Sequence, residues 1–126
     1  MDAQPGESMK LEELAENLEM EVDEFLEIME LFLKTSAFDL NQLESGIEEG
    51  DGQRVIIAAH SIKGAAVNLG LLEIYEAARK TEMEARENNL NGATVAARAI
   101  KEKIDRIAED FFKDESSKLK EESRSQ

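Results

Sequence analysis

No cysteine and no tryptophan occur among the 126 residues, and proline and histidine occur once each. The missing thiols exclude disulfide frameworks, thiolate nucleophiles and zinc–thiolate sites, and they suit a cytosolic chain. Aromatics make up only 5% of the chain, so a core must be built from Leu, Ile, Val, Ala and Met. One proline and seven glycines leave few places where a helix must break. Positive charge is scarce as well: 15 Lys and Arg face 29 Asp and Glu, a net charge of −14. Such a surface repels phosphate backbones and anionic headgroups, which argues against nucleic-acid and membrane partners. Apolar runs fall short of the ~20 residues of a membrane span. The opening MDAQPGESMK has no basic stretch leading into an apolar one, so it does not read as a signal peptide. These absences predict a cytoplasmic protein.

What remains is rich in helix formers, with enough apolar residues (41%) for one core in one domain. Four long amphipathic patterns are visible. The first carries Val22, Leu26, Met29, Leu33, Ser36, Leu40, Leu43 and Ile47, with spacings that alternate four and three and so hold one stripe in one direction. Gly50 is placed to end it and Asp51 to cap the next. The second pattern runs from about Asp51 to Leu69, with Gly70 as a stop. The third, Leu71 to about Glu87, carries Ile74, Ala78, Thr81 and Ala85 inward. Asn89 or Asn91 is placed to cap the fourth, which carries Ala93, Ala97, Ile100, Ile104, Ile107 and Phe111. Short links between long amphipathic helices predict an all-α fold, an antiparallel up-down-up-down four-helix bundle. A shorter pattern, Leu11, Leu14, Ala15 and Leu18, predicts an accessory N-terminal helix over part of Phe25, Ile28, Leu31 and Phe32; a dimer interface there is the less economical alternative. The expected organisation is a flexible stretch over 1–9, the bundle domain over 10–113 and a polar, frayed tail over 114–126.

The single histidine, His60, lies in AAHSIKGAAVNLGL. On a helix at ~100° per residue, Val55, Ala58, Ala59, Ile62, Ala65, Ala66 and Leu69 gather on one side and complete a core stripe without it. His60 falls on the opposite side with Gln53, Ile56, Ile57, Lys63, Gly64 and Val67. Gly64, one turn after His60, costs a helix interior about 1 kcal/mol relative to Ala, and it leaves room for another molecule to approach the imidazole. Lys63 is within side-chain reach of the ring, where an ammonium favours the neutral imidazole and supports an anion on its nitrogen. Ile56, Ile57 and Val67, with Gln53, form a partly apolar surface suited to docking. No Asp or Glu occurs from Gln53 to Leu72, where average composition would put roughly five. The arrangement reads as an outward histidine prepared to carry an anionic group and to meet a protein.

The run HSIKGAAVNLG resembles the signature of histidine-containing phosphotransfer (HPt) domains: His60, an apolar Ile62, Lys63-Gly64, then Gly70. The resemblance extends from about Glu24 to Phe112, with Asn88-Asn89 where Gly-Asp is frequent, a change confined to the helix cap. It implies a phosphocarrier of two-component phosphorelays, with His60 accepting a phosphoryl group at Nε2 from the aspartyl phosphate of a response-regulator receiver domain and passing it to another receiver. It implies that Lys63 supports the phosphoryl oxygens and that Gly64 gives the receiver clearance. It also implies an upstream sensor or hybrid histidine kinase, and Mg²⁺ in the receiver's acidic site with no cofactor or metal of the chain's own. No ATP-binding segment is visible, so autokinase activity is not expected. A kinase dimerisation domain would follow its histidine with an acid and soon a proline; Ser61 follows here, with no proline nearby. Two readings stay open beside the free-standing carrier, which Met1 and the polar ends favour: a phosphotransfer module of a larger hybrid or chemotaxis kinase, and a structural helical adaptor. A metal-binding bundle lacks its Glu-x-x-His pair, since Ile57 precedes His60 by three. A bundle that closes within one chain predicts a monomer.

Overall fold

The computed structural model describes residues 11–124, with side chains over 13–113. Its five helices are α1 (Leu11–Asn17), α2 (Val22–Glu49), α3 (Gly52–Asn68), α4 (Leu72–Arg86) and α5 (Leu90–Arg124). In the bundle α2 packs on α3, α3 on α4, α4 on α5, and α5 back on α2, while α1 lies against α2. The chain therefore forms the antiparallel four-helix bundle with an accessory helix that the periodicity predicts.

One turn geometry is used at all four links. The backbone N–H groups of Met20, Asp51, Leu71 and Asn89 donate to the carbonyls five residues back, at Ala15, Gly46, Ala66 and Glu84, over 2.9, 2.7, 2.9 and 2.8 Å. Between them Glu19, Gly50, Gly70 and Asn88 take positive φ values of 55°, 69°, 72° and 61°. These are Schellman closures, which satisfy carbonyls that a helix end leaves open. Asn88 stands in the left-handed position that glycine most often fills, because asparagine tolerates that region better than most residues. Asp51 Oδ1 accepts from Arg54 N at 3.2 Å. Asn89 Oδ1 accepts from Gly92 N at 3.0 Å, which settles the choice between Asn89 and Asn91 as the cap. Each link is thus a helix stop followed after two to four residues by a start.

The core runs through all four long helices, with Phe25, Met29, Leu43, Val55, Ile62, Ile74 and Ile100 fully buried. Ser36 sits in the α2 stripe as a buried residue whose hydroxyl donates to the Leu33 carbonyl at 3.4 Å. Gly46 marks a close approach of α2 to α3, since a Cβ there would lie 2.9 Å from Val55 Cγ2 and 3.1 Å from the Asp51 carbonyl oxygen. In α1, Leu14 and Ala15 are buried; Phe25 and Phe32 are buried too, whereas Ile28 and Leu31 remain exposed.

The last helix, α5, runs on to Arg124, through a stretch whose Lys, Glu and Leu are good helix formers. Residues 1–9, expected to be flexible, lie outside the described residues. Among the described residues no helix is long and apolar enough to cross a membrane.

Candidate functional site

α3 brings His60 to the surface half-way along the bundle. Its core side, Val55, Ala58, Ala59, Ile62 and Ala66, is buried, and the imidazole stands on the other side with 65% of its side chain exposed. His60 is nevertheless tethered. Its Nδ1 lies 3.2 Å from Oε2 of Glu82, which reaches across from α4.

Glu82 is absent from the sequence-based site, and it organises the cluster. Its side chain is only 6% exposed. Oε2 accepts from Arg86 Nη2 at 2.8 Å and from Arg86 Nε at 3.2 Å, in addition to facing His60. Oε1 is 2.8 Å from Lys63 Nζ, but the approach is off the hydrogen-bonding direction, so that buried oxygen is held by charge without a directed bond. Burial alone would push this carboxyl up; the contacts with Lys63, Arg86 and His60 outweigh it and bring Glu82 down to about 2. It is therefore a carboxylate at neutral pH.

That state fixes the tautomer. A carboxylate only accepts, so the hydrogen bond requires the proton on Nδ1 and leaves the lone pair of a neutral ring on Nε2. Nε2 is thereby the ring nitrogen not engaged by Glu82. Lys63 plays a different part from the one its spacing suggests: its ammonium is ion-paired with Glu82 instead of standing alone beside the ring.

The other predicted site residues divide. Gly64 is exposed, and a Cβ built on it meets no atom within 4 Å. Gln53 is exposed; Ile57 (62%) and Val67 (48%) are exposed apolar residues on the same helix. Ile56 is half-buried, packed against the core with part of its side chain still exposed. The exposed surface continues onto α2. Phe38 is 64% exposed and shares a cleft with Ile57, Gln53 and Arg54. Ser61, directly after the histidine, donates to Asp39 of α2 at 2.7 Å and ties the two helices beside the site. Among the described residues no group of three or more His, Asp or Glu is arranged to hold a metal ion.

A buried carboxylate held by two cations has a stability signature. Because the folded carboxyl is lowered from 4.5 to about 2, its contribution is present above about pH 4.5 and is lost as the pH falls towards about 2. Lys63 and Arg86 are partly solvated, so the contribution is about 1–3 kcal/mol, smaller than the full shift would give. Urea denaturation at about pH 7 and about pH 2.5 should show the wild type ahead of Glu82→Gln at the higher pH and the gap closing by that amount at the lower. An unchanged gap would mean that the cluster does not hold the carboxylate in solution.

The site thus joins an outward imidazole, a buried carboxylate on its Nδ1, two cations on that carboxylate and an open glycine one turn along. The family model for the Hpt domain matches residues 27–110. The chain belongs to the Hpt-domain family. Among solved structures, it resembles the crystal structure of histidine-containing phosphotransfer protein B from Pseudomonas aeruginosa PAO1, with a TM-score of 0.71 and 24% identity over 85% of this chain and 90% of that one. At that identity the likeness concerns the fold. No curated protein matches the chain. As an Hpt domain it is a phosphocarrier in a phosphorelay, and Hpt proteins are carriers, not kinases.

Proposed function

We propose that His60 is the residue that carries the phosphoryl group, taking it at Nε2 from the aspartyl phosphate of a receiver domain and delivering it to another. The observation that supports this most is the pairing of exposure with tautomer control: the one histidine of the chain is 65% exposed and is held at Nδ1 by a carboxylate that stays ionised at neutral pH. Phosphoryl transfer needs an in-line nucleophile and neutralisation of the transferring oxygens, and little else from the protein. The Nε2 lone pair attacks phosphorus as the P–O bond to the aspartate breaks, and the released pair stays on the departing carboxylate. Lys63, ion-paired with the same Glu82 carboxylate that faces the ring, takes part in balancing the added charge, and Gly64 leaves space for the receiver's backbone.

Magnesium belongs to the receiver on this reading, with the carrier contributing no metal ligand. The docking face is Gln53, Ile57 and Val67 on α3, joined by Phe38 on α2. It is apolar and free of acids on α3, so it suits a receiver surface that is itself apolar around an acidic pocket. The carrier acts as a cytoplasmic monomer without autokinase activity, exchanging its phosphoryl group with receivers that are charged by a sensor or hybrid histidine kinase. The test is to mix the protein with a receiver domain phosphorylated on its aspartate and follow the label. It should appear on this chain as an acid-labile, alkali-stable adduct; label that stays on the receiver would overturn the assignment.

A further inference from the structure

We propose that Glu82 keeps the Nδ1 proton on His60 after Nε2 has accepted the phosphoryl group, so that the phosphohistidine stands as an imidazolium ready to give the group up. This rests on the phosphocarrier reading of His60, and it makes Glu82 a positioning residue for the return half of the reaction.

The atoms leave two courses. Before transfer the ring carries its proton on Nδ1, facing Oε2 of Glu82 at 3.2 Å, and a lone pair on Nε2. Attack through Nε2 forms the N–P bond without removing that proton, so the product ring has a proton on one nitrogen and phosphorus on the other and is cationic. If the Nδ1 proton then escapes to solvent, the ring becomes neutral. Breaking the N–P bond from that state would expel an imidazolate, a poor leaving group. If the proton stays, the N–P bond breaks with its electron pair returning to Nε2, and neutral imidazole departs. The incoming receiver aspartate supplies the new P–O bond. No proton is lost or gained by the carrier in either direction.

The surroundings favour the second course. Opposite charge within about 4–6 Å holds a group in its charged form, and the Glu82 carboxylate is within hydrogen-bonding distance of Nδ1. It cannot swing away, being buried and fixed by Arg86 on Oε2 and Lys63 on Oε1. Those two cations oppose protonation of the ring, but each is engaged on the carboxylate. Of the other charged groups on the packed helices, Asp39 of α2 binds Ser61 and adds negative charge, and Arg79 of α4 is held by Glu76. Within the cluster, Oε2 of Glu82 is the only carboxylate oxygen for which a contact with the ring is seen among the described residues.

The experiment uses protein labelled with ¹⁵N in the imidazole and phosphorylated with phosphoramidate, which needs no receiver. The ¹⁵N spectrum of Nδ1 is followed from about pH 6 to about pH 10 in wild type and Glu82→Gln, and the expected result is that Nδ1 stays protonated at least about one pH unit higher in the wild type. Transfer from the phosphorylated carrier to a receiver should correspondingly fall about tenfold more in Glu82→Gln than in wild type between about pH 7 and about pH 9. Identical Nδ1 titrations overturn the inference. So does a deprotonated Nδ1 in phosphorylated wild type at about pH 7, a readout that does not depend on the variant folding. If instead a phosphorylated receiver fails to label His60 while Nδ1 behaves as expected, the carrier reading fails and the role of Glu82 at the ring survives.

Discussion

His60→Gln is expected to reduce phosphoryl acceptance from a phosphorylated receiver to background, a loss of at least ~10³-fold, with the fold intact. Two structural facts make the prediction sharp. The side chain is largely solvent-exposed, so its removal exposes no core and leaves the stripe of Val55, Ala59, Ile62 and Ala66 untouched. Glutamine also retains a polar group that can meet Glu82, and Lys63 and Arg86 still neutralise the carboxylate, so no buried charge is orphaned. What is lost is the one nitrogen with a lone pair aimed at solvent. Circular dichroism and urea midpoints should therefore overlay those of wild type while the labelled carrier band disappears. Label on the variant would mean that another side chain accepts the group. Loss of label together with a lowered midpoint would mean that the imidazole had been structural after all, as in a helical adaptor.

The helices were legible because their apolar spacings hold a period over many turns, and because Gly50, Asp51, Gly70 and Asn89 mark stops and starts by mechanisms that depend only on neighbouring residues. His60, Lys63 and Gly64 were legible for the same local reason, all lying on one helix within two turns. Glu82 was not. Its partners are four residues away in one case and about twenty in the others, and only packing of α3 on α4 brings them together. The available signal was an acid standing one turn beyond Ala78 in line with Ile74, followed one turn later by Arg86 (an apolar stripe interrupted by a charge with a cation above it). The stripe Ile74, Ala78, Thr81 and Ala85 was complete enough to hide that interruption. Without Glu82 the spacing of Lys63 points its ammonium at the ring, whereas its ion pair is with the carboxylate.

Gly64 carries the second large effect, and the structure turns it into a separation of stability from function. A glycine inside a helix is normally retained because a side chain would collide with something, as at Gly46, where Val55 and the Asp51 carbonyl crowd the added carbon. At Gly64 no atom lies within 4 Å of that carbon, so nothing in this chain offsets the helix-propensity cost. Gly64→Ala should accordingly raise the unfolding free energy by about 0.5–1 kcal/mol. If the space is kept for the receiver, the same variant slows transfer. Gly64→Gln, with a longer side chain one turn from Nε2, should slow it on the order of 10²-fold, since an offset of about 1 Å between nucleophile and phosphorus is enough for that. Phosphorylation by phosphoramidate, a donor too small to touch Gly64, should proceed at the wild-type rate in both variants. A stabilised Gly64→Gln that exchanges phosphate with receivers at the wild-type rate would sink the clearance argument. A variant slow with receivers but normal with the small donor would place the obstruction in the protein–protein encounter, because the chemistry at His60 would then be unaltered.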